Sequence, residues 1–420
     1  MKKNHSLNFP IFIVFLFIYT FAMMTPGYFQ TRIVTYTSHA CLFLGFIFLI
    51  YNQYKPSRFM ILTTVYFAFN IINTYINKGE SINLAYIVRY AKYLIYLANI
   101  ELCVCKLGKA RAIKPIFYYL LIMVLIDCAT IFLFPHGLYQ EQVTADISNV
   151  VGKWIFGGKN NHIIWFIITI YLCSLLAFYN DKKSFFYKIV LIALMLACTL
   201  ATYILKSTTS LGTILICDVG FVLTFLFNKK FTTKKLPYVC VICYFVFLYI
   251  ILFGNKSFLS PIVESLLGKE MTFTGRTEIW EVAIEYIKLR PIFGSGVLSQ
   301  LEAVALLRPA AAGLVNCHNH FLQVIWEGGI FLITIYIIQI FAIVRNLSKS
   351  ENNMMRTFSL FILIGILFEM IFEVEYGLGV WVILLCMYDS IYLEDHVKNV
   401  KERRPFSYAK MRSVKGDAAL

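Results

Sequence analysis

The sequence predicts an all-α polytopic membrane protein of about twelve transmembrane helices. Three observations predict it. Hydrophobic residues fill 59% of the 420 positions and charged residues only 15%, against roughly 45–50% and about 25% in a soluble domain. Mean hydropathy is +0.71. Apolar stretches near the ~20 residues needed to cross a bilayer recur along the whole chain. This composition excludes a soluble globular domain, a disordered chain and a fibrous one.

The first stretch, Phe9–Met24, follows Lys2 and Lys3 and resembles a signal peptide. Only Thr25-Pro26-Gly27 follows it, with no small-x-small cleavage site, so a retained first span is expected. Ile33–Tyr51, Phe59–Ile76, Ile82–Cys105, Pro115–Phe134, His162–Tyr179, Phe185–Leu205, Ser207–Phe227 and Leu236–Phe253 follow as spans two to nine. Asn319–Val344, Thr357–Glu373 and Leu378–Leu393 are the last three. The expected organisation is an N-terminal bundle (1–253), a long outer loop (254–318), three C-terminal spans (319–395) and a basic tail (396–420). No internal repeat or low-complexity segment is visible.

Lys and Arg set the orientation. With the N-terminus inside, every inside connection is basic: Lys55 and Arg58; Lys106, Lys109, Arg111 and Lys114; Lys229, Lys230, Lys234 and Lys235; and the tail. Outer connections are poorer in them. Both termini are therefore expected in the cytoplasm. The net charge of +15 needs no nucleic acid; anionic membrane lipid suffices as its partner. The cysteines lie mostly in apolar stretches, with only Cys317 in the long outer loop, so no disulfide framework is expected. Cys103/Cys105 and Cys240/Cys243 lack nearby His or carboxylate partners, and no metal is expected.

The outer side has two long connections, Pro135–Asn161 and Gly254–His318. Long connections between spans are usually functional or disordered, and the second does not have a disordered composition. Thr277–Arg290 reads as an amphipathic helix: Ile279, Trp280, Ala283, Ile284 and Ile287 share one face, and Glu278, Glu281, Glu285 and Lys288 the rest. Pro291 stops it and Gly294 and Gly296 turn the chain. Its apolar face, with Trp280, is expected on the membrane surface or capping the bundle.

Charges within spans are costly. Arg89 and Lys92 share one helical face; Asp127, Asp218, Glu327 and Glu369 are spread over four other spans. These groups either pair inside the bundle or serve function. Arg89 lies ~10 Å below the outer boundary at 1.5 Å per residue, within reach of a lipid phosphate. The outer loop carries Thr274-Gly275-Arg276-Thr277 ahead of the amphipathic helix and closes on Asn316-Cys317-His318-Asn319-His320. Arginine grips phosphate oxygens with a planar fork, and histidine can act as a base near neutrality. This combination suits a lipid-linked phosphate substrate. The same residues also suit a helix cap with snorkelling histidines, or a metal chelated by His318 and His320, although no acidic residue adjoins them.

Taken in order, Gly275-Arg276, Trp280, Pro291, Gly294 and Gly296, His318-Asn319 and Glu327-Gly328-Gly329 form a compound pattern. It resembles the O-antigen ligase and polysaccharide polymerase family of bacterial envelopes. Gly157-Gly158-Lys159-Asn160 is similar to a motif of its polymerases, and the resemblance runs from about Gly157 to Phe331. It implies a bundle of the glycosyltransferase C type. It implies glycan transfer from an undecaprenyl diphosphate carrier to a hydroxyl acceptor outside the cytoplasmic membrane, without metal or cofactor; attack opposite the leaving diphosphate would invert the anomeric configuration. By the same resemblance Arg276 binds the diphosphate and His318 activates the acceptor. Asn319, Glu327, Lys159, Asn160 and Trp280 are supporting residues. The family often carries a Ser-Arg pair near the start of the eighth span. Here the chain reads Lys206-Ser207-Thr208, so Lys206 would supply a point charge in place of a fork, with Arg89 as a further candidate.

Polymerisation of lipid-linked repeats into a capsule, exopolysaccharide or O-antigen is the leading expectation, favoured by Gly157–Asn160. A composition rich in Ile, Phe, Asn, Lys and Tyr, which suggests an AT-rich genome and a cell without lipid A, leans the same way. A flippase and a chain-length regulator would be partners. A ligase moving finished glycan is the alternative. A peptidoglycan polymerase would depend on Glu264, Glu270, Glu278 or Glu281 in the outer loop. A flippase or transporter would keep its activity without His318, and the absence of two related halves argues against it.

Overall fold

The computed structural model describes residues 9–79, 84–142, 150–179, 184–226, 233–253, 276–310 and 314–388. Each of the twelve apolar stretches is helical there. They form α1 (Phe9–Met23), α2 (Arg32–Tyr51), α3 (Arg58–Lys78), α4 (Leu84–Leu107), α5 (Lys109–Leu133) and α6 (His162–Tyr179). Then come α7 (Ser184–Ile204), α8 (Thr208–Leu226) and α9 (Leu236–Phe253). The loop helices α10 (Arg276–Leu289) and α11 (Gln300–Leu307) precede α12 (His320–Lys349), α13 (Asn353–Phe372) and α14 (Leu378–Tyr388). Seven of these, α2, α3, α5, α7, α8, α12 and α13, are long and apolar enough to cross a membrane. Helices α1, α6, α9 and α14 are apolar but shorter. The chain is an all-α polytopic membrane protein. Gly275, Glu264, Glu270 and the basic tail lie outside the described residues.

Helix ends follow local chemistry. Ser57, Asn319 and Asn352 accept the first free amides of α3, α12 and α13, at 3.2, 2.9 and 3.0 Å. Ser299 and Glu302 close a reciprocal capping box on α11, as a Ser-x-x-Glu sequence should. The expected amphipathic helix is α10, and its Ile279, Trp280 and Ala283 are buried against the protein. Its Tyr286 stacks on Trp326 of α12, 5.3 Å between centroids and 6° between planes. The helix therefore caps the bundle rather than lying with its apolar face in lipid, because α12 offers an aromatic surface to cover.

Helices α6 and α13 form the interior, buried along most of their length. Large apolar side chains of α2, α7 and α9, such as Phe43, Leu196 and Tyr249, point outward, where lipid would solvate them. Close packing rests on small residues. A Cβ at Gly220 would come within 2.2 Å of the Phe361 side chain, and one at Gly212 within 2.9 Å of Phe368. These glycines let α8 lie tightly on α13.

The charges inside the bundle do not pair with one another as opposite ions. Asp127 takes the His162 ring nitrogen Nδ1 at 2.6 Å and the Phe156 amide at 3.3 Å. Asp218 accepts from Thr199 at 2.7 Å, and Lys92 donates to Ser38 at 2.6 Å. Arg89 is exposed and makes no ion pair among the described residues. The cations sit on α4 and the acids on α5, α8, α12 and α13; Lys92 and the four acids find local hydroxyl, amide or imidazole partners instead.

Among the described residues, a strand pair and a loop helix have no counterpart in the sequence expectation. The connection Pro135–Asn161 holds an antiparallel hairpin, β1 (Tyr139–Gln142) and β2 (Val150–Lys153), with Tyr139 opposite Lys153. Helix α11 is the other. It is tied back to α3 by the Lys78–Glu302 ion pair.

The Glu327-Gly328-Gly329 run is a kink. Gly329 sits at φ 63°, ψ −165° inside α12, a region essentially confined to glycine. The break frees the carbonyls of Trp326 and Glu327, and the turn after α10 takes them up. Ser295 N–H donates to Trp326 O at 2.9 Å, Gly296 N–H to Glu327 O at 2.9 Å, and Ile330 N–H to Pro291 O at 2.8 Å. Asn73 of α3 donates to both Phe293 O (2.6 Å) and Glu327 O (2.9 Å). A Cβ at Gly329 would meet Ile292 O at 2.2 Å. Gly329→Ala is therefore expected to cost at least ~1–3 kcal/mol. The check is thermal unfolding of the purified variant, which should melt below wild type.

Candidate functional site

The site is assembled at the end of the bundle that the charge pattern assigns to the outside. Three chain segments converge there on the carboxylate of Glu373. Helix α10 begins with Arg276, which therefore projects its side chain from the helix start toward the end of α13. There its Nη2 donates to Glu373 Oε1 at 2.7 Å, and its guanidinium lies 5.6 Å from the centroid of the Phe372 ring.

His318 stands in the turn that leads into α12. Its own N–H donates to Asn316 Oδ1 at 2.9 Å, and Cys317 N–H donates to Gln323 Oε1 at 3.0 Å. The turn holds His318 at φ 48°, a left-handed conformation that is uncommon outside glycine and collects at functional sites. From there His318 Nδ1 meets Glu373 Oε2 at 3.1 Å. Asn319 locks the turn, capping α12 with its oxygen and donating to Ile371 O at 3.0 Å.

Asn160 arrives from the Gly157–Asn160 turn and donates to Glu373 Oε1 at 2.7 Å. Ser207, just before α8, donates to Asn160 Oδ1 at 2.8 Å. Behind it Ser210 and Thr213 reach the buried Glu369 at 3.4 and 2.6 Å. The Asp127–His162 contact supports the turn from below, since His162 opens α6 directly after it.

Arg276, His318 and Asn160 are thus brought together, with Asn319 as the cap that positions the histidine. Trp280 is buried on α10 and anchors that helix. Lys159 and Lys206 are exposed beside Asn160 and Ser207, with no ion pair among the described residues. Lys206 has φ 53°. Arg89 does not join the carboxylate. Glu327 stands apart, accepting from Gln323 Nε2 at 2.8 Å and from the Tyr376 hydroxyl at 2.6 Å.

Glu373 is the functional residue that sequence reasoning missed. As the last residue of an apolar stretch it reads as a boundary marker. The only signal was the acidic pair Glu373-Val374-Glu375 on an otherwise apolar hairpin between two spans. Glu375 is hemmed in by protein yet still reached by solvent. Burial, and behind it the Glu369 and Glu373 carboxylates, push its carboxyl well above the ordinary value. Burial likewise pushes the Cys317 thiol up, so this cysteine is a packing group rather than a nucleophile.

The chemistry open to this arrangement follows from the geometry. Glu373 holds one face of the imidazole through Nδ1. In the neutral ring this hydrogen bond selects the tautomer with the proton on Nδ1 and the lone pair on Nε2. Arg276 spends one of its five N–H donors on Glu373 and keeps the rest of its fork. An imidazole and a guanidinium lie on the two oxygens of one carboxylate.

Residues 160–337 match the family model described as O-Antigen ligase. The match starts at Asn160, takes in Arg276 and His318, and ends within α12; it spans somewhat less than half of the chain. No curated protein matches the chain.

Proposed function

We propose, from the premise that this membrane protein carries an O-antigen ligase domain, that it polymerises lipid-linked oligosaccharide repeats into a surface polysaccharide. The observation that supports this most is the sharing of Glu373 by Arg276 and His318. The donor is a glycan on undecaprenyl diphosphate. Arg276 binds its diphosphate and stabilises the charge that develops there as the bond breaks. Exposed Lys206 and Lys159 add positive charge on the same side.

The acceptor hydroxyl attacks the anomeric carbon from the face opposite the diphosphate, so the configuration inverts. The new bond joins acceptor oxygen to anomeric carbon. The bond from that carbon to the phosphate oxygen breaks, and its electron pair leaves with the carrier diphosphate. The hydroxyl proton passes to His318 Nε2. Glu373 stabilises the imidazolium that results. The reading needs no metal, because fixed cations neutralise the leaving group. The reaction runs on the outer face of a bacterial cytoplasmic membrane, where a flippase delivers repeats and a chain-length regulator acts on the product. Ligation of finished glycan to another acceptor would use the same residues.

The test is the size ladder of surface glycan from the source cell. Wild type is compared with a deletion and with the deletion complemented by Arg276→Ala or His318→Ala, each checked for arrival in the membrane. Single repeats in place of long chains are expected in all three altered strains. Arg276→Ala should slow transfer ~10²–10³-fold, the scale of one lost charge-stabilising donor. Full-length chains stranded on the carrier would instead identify a ligase. A wild-type ladder in both point variants would overturn the assignment and favour transport.

A further inference from the structure

The turn that follows α10, residues 290–296, sits lower along the bundle than a loop in water would. Two helices give its height. Asn73 Nδ2 donates to the Phe293 carbonyl at 2.6 Å, and Asn73 stands 15 residues along α3 from Arg58 at its basic end. That is about 22 Å at ~1.5 Å per residue. Ile330 N–H donates to the Pro291 carbonyl at 2.8 Å, and Ile330 stands 15 residues along α12 from Arg345, the same height. The hydrocarbon core of a bilayer is ~30 Å thick, so both rulers place the turn inside it. Tilt of either helix lowers it further. The other end of α3 agrees. Asn73 falls five residues short of Lys78, the cation that closes the helix. Ile76, between the two and exposed, continues the lipid-facing surface of α3 past the turn.

The turn is built as backbone in hydrocarbon must be, with its polar groups met by protein. Four carbonyls in succession are taken: Arg290 O by Gly294 N–H, Pro291 O by Ile330 N–H, Ile292 O by Phe331 N–H and Phe293 O by Asn73. The N–H groups of Ser295, Gly296 and Val297 donate to Trp326 O, Glu327 O and Thr74 Oγ1. The side chains do the reverse. Ile292 is 60% exposed and Phe293 56%. They adjoin the outward-facing Ile330 and Phe331 of α12, and the Phe331 ring lies 6.3 Å from that of Phe293. Arg290 beside them donates to Asn77, one turn nearer the end of α3, which carries its charge toward the headgroups.

We infer that residues 290–296 form a re-entrant seat, with Ile292 and Phe293 packed among the acyl chains of the leaflet on the site's side. The partner is phospholipid, because this patch is continuous with the apolar, lipid-facing surface of α3 and α12. The inference does not depend on the transferase reading. Its consequence is positional. Arg276 ties one end of α10 to Glu373 and the seat ties the other end to the bilayer, so lipid as well as the bundle sets the depth of the site.

The test is photo-crosslinking of the full chain in vesicles of phosphatidylethanolamine and phosphatidylglycerol. In one variant p-benzoylphenylalanine replaces Phe293, in a second Ile292. Both side chains are exposed, so the fold is kept, and either position alone decides the matter. Phe43, on the outward face of α2, is the lipid-facing control. Leu301 of α11 is the water-side control, exposed and carried beside the Lys78–Glu302 pair that closes α3. After irradiation, intact-protein mass spectrometry should show the mass of one phospholipid added at positions 292, 293 and 43, and none at 301. Lipid adducts at 292 and 293 no more frequent than at 301 overturn the inference, and so do crosslinks to protein alone. The glycan ladder of the Arg276→Ala and His318→Ala strains reports on the transferase reading separately.

Discussion

His318→Ala is expected to slow glycan transfer by ~10²–10⁴-fold, the usual contribution of a positioned general base. The protein should still fold and insert. The side chain is 27% exposed and its one side-chain hydrogen bond among the described residues is to Glu373, so its loss leaves no cavity in the core. Its left-handed backbone disfavours alanine, however. His318→Asn is the sharper variant, because asparagine tolerates that conformation but cannot take up a proton. Initial rates of chain extension in membrane vesicles, normalised to protein, would separate the two effects. A wild-type rate in His318→Asn rules the histidine out as the base. The expected pattern is a fall in turnover with little change in KM for the lipid-linked substrate. Arg276→Ala should raise that KM as well, since it loses the contact to diphosphate.

Glu373→Gln is expected to be nearly as damaging, for a different reason. Arg276 and Asn160 both donate to Oε1, so the glutamine amide must turn its oxygen toward them. Its NH2 then occupies the place of Oε2 and faces His318 Nδ1. It can only donate there, which moves the imidazole proton to Nε2 and leaves no base toward the acceptor. In serine proteases the equivalent change of tautomer costs ~10⁴-fold, and a loss of ~10³–10⁴ is expected here. Substrate binding should not suffer, since Arg276 is relieved of a full negative partner. KM unchanged or lowered, with turnover reduced, is the predicted split. A raised KM with near-normal turnover would mean that Glu373 only organises Arg276. Glu373→Asp should recover part of the rate, because it restores the acceptor at Nδ1.

Much of this site was legible and part was not. Arg276 and His318 stood out because each closes a segment of the long outer connection with a residue type that suits phosphate or proton transfer. Asn160 and Asn319 stood out by motif. Glu373 did not, because a carboxylate at the end of an apolar run reads as the water boundary of a span. Its meaning comes from partners 213, 97 and 55 positions away in Asn160, Arg276 and His318, and no local pattern encodes such distances. The glycines of Glu327-Gly328-Gly329 were visible as a motif, yet their reason is tertiary: the kink at Gly329 hands the carbonyls of Trp326 and Glu327 to the turn after α10.

The sequence by itself determined the membrane helices and the basic connections between them. It also determined the amphipathic helix, though not that the helix caps the bundle. All three are properties of consecutive residues: burial in lipid needs an unbroken apolar run, and an amphipathic helix needs one apolar face at helical spacing. Only the tertiary structure decided which charges meet. It gave Asp127 to His162, left Arg89 without an ion partner among the described residues, and set Arg276 and His318 on the two oxygens of Glu373. The physical reason is range. Hydropathy and helical period act over a few residues, whereas hydrogen bonds and ion pairs act over about 3 Å in space, and the packing of a dozen helices decides what comes within that distance.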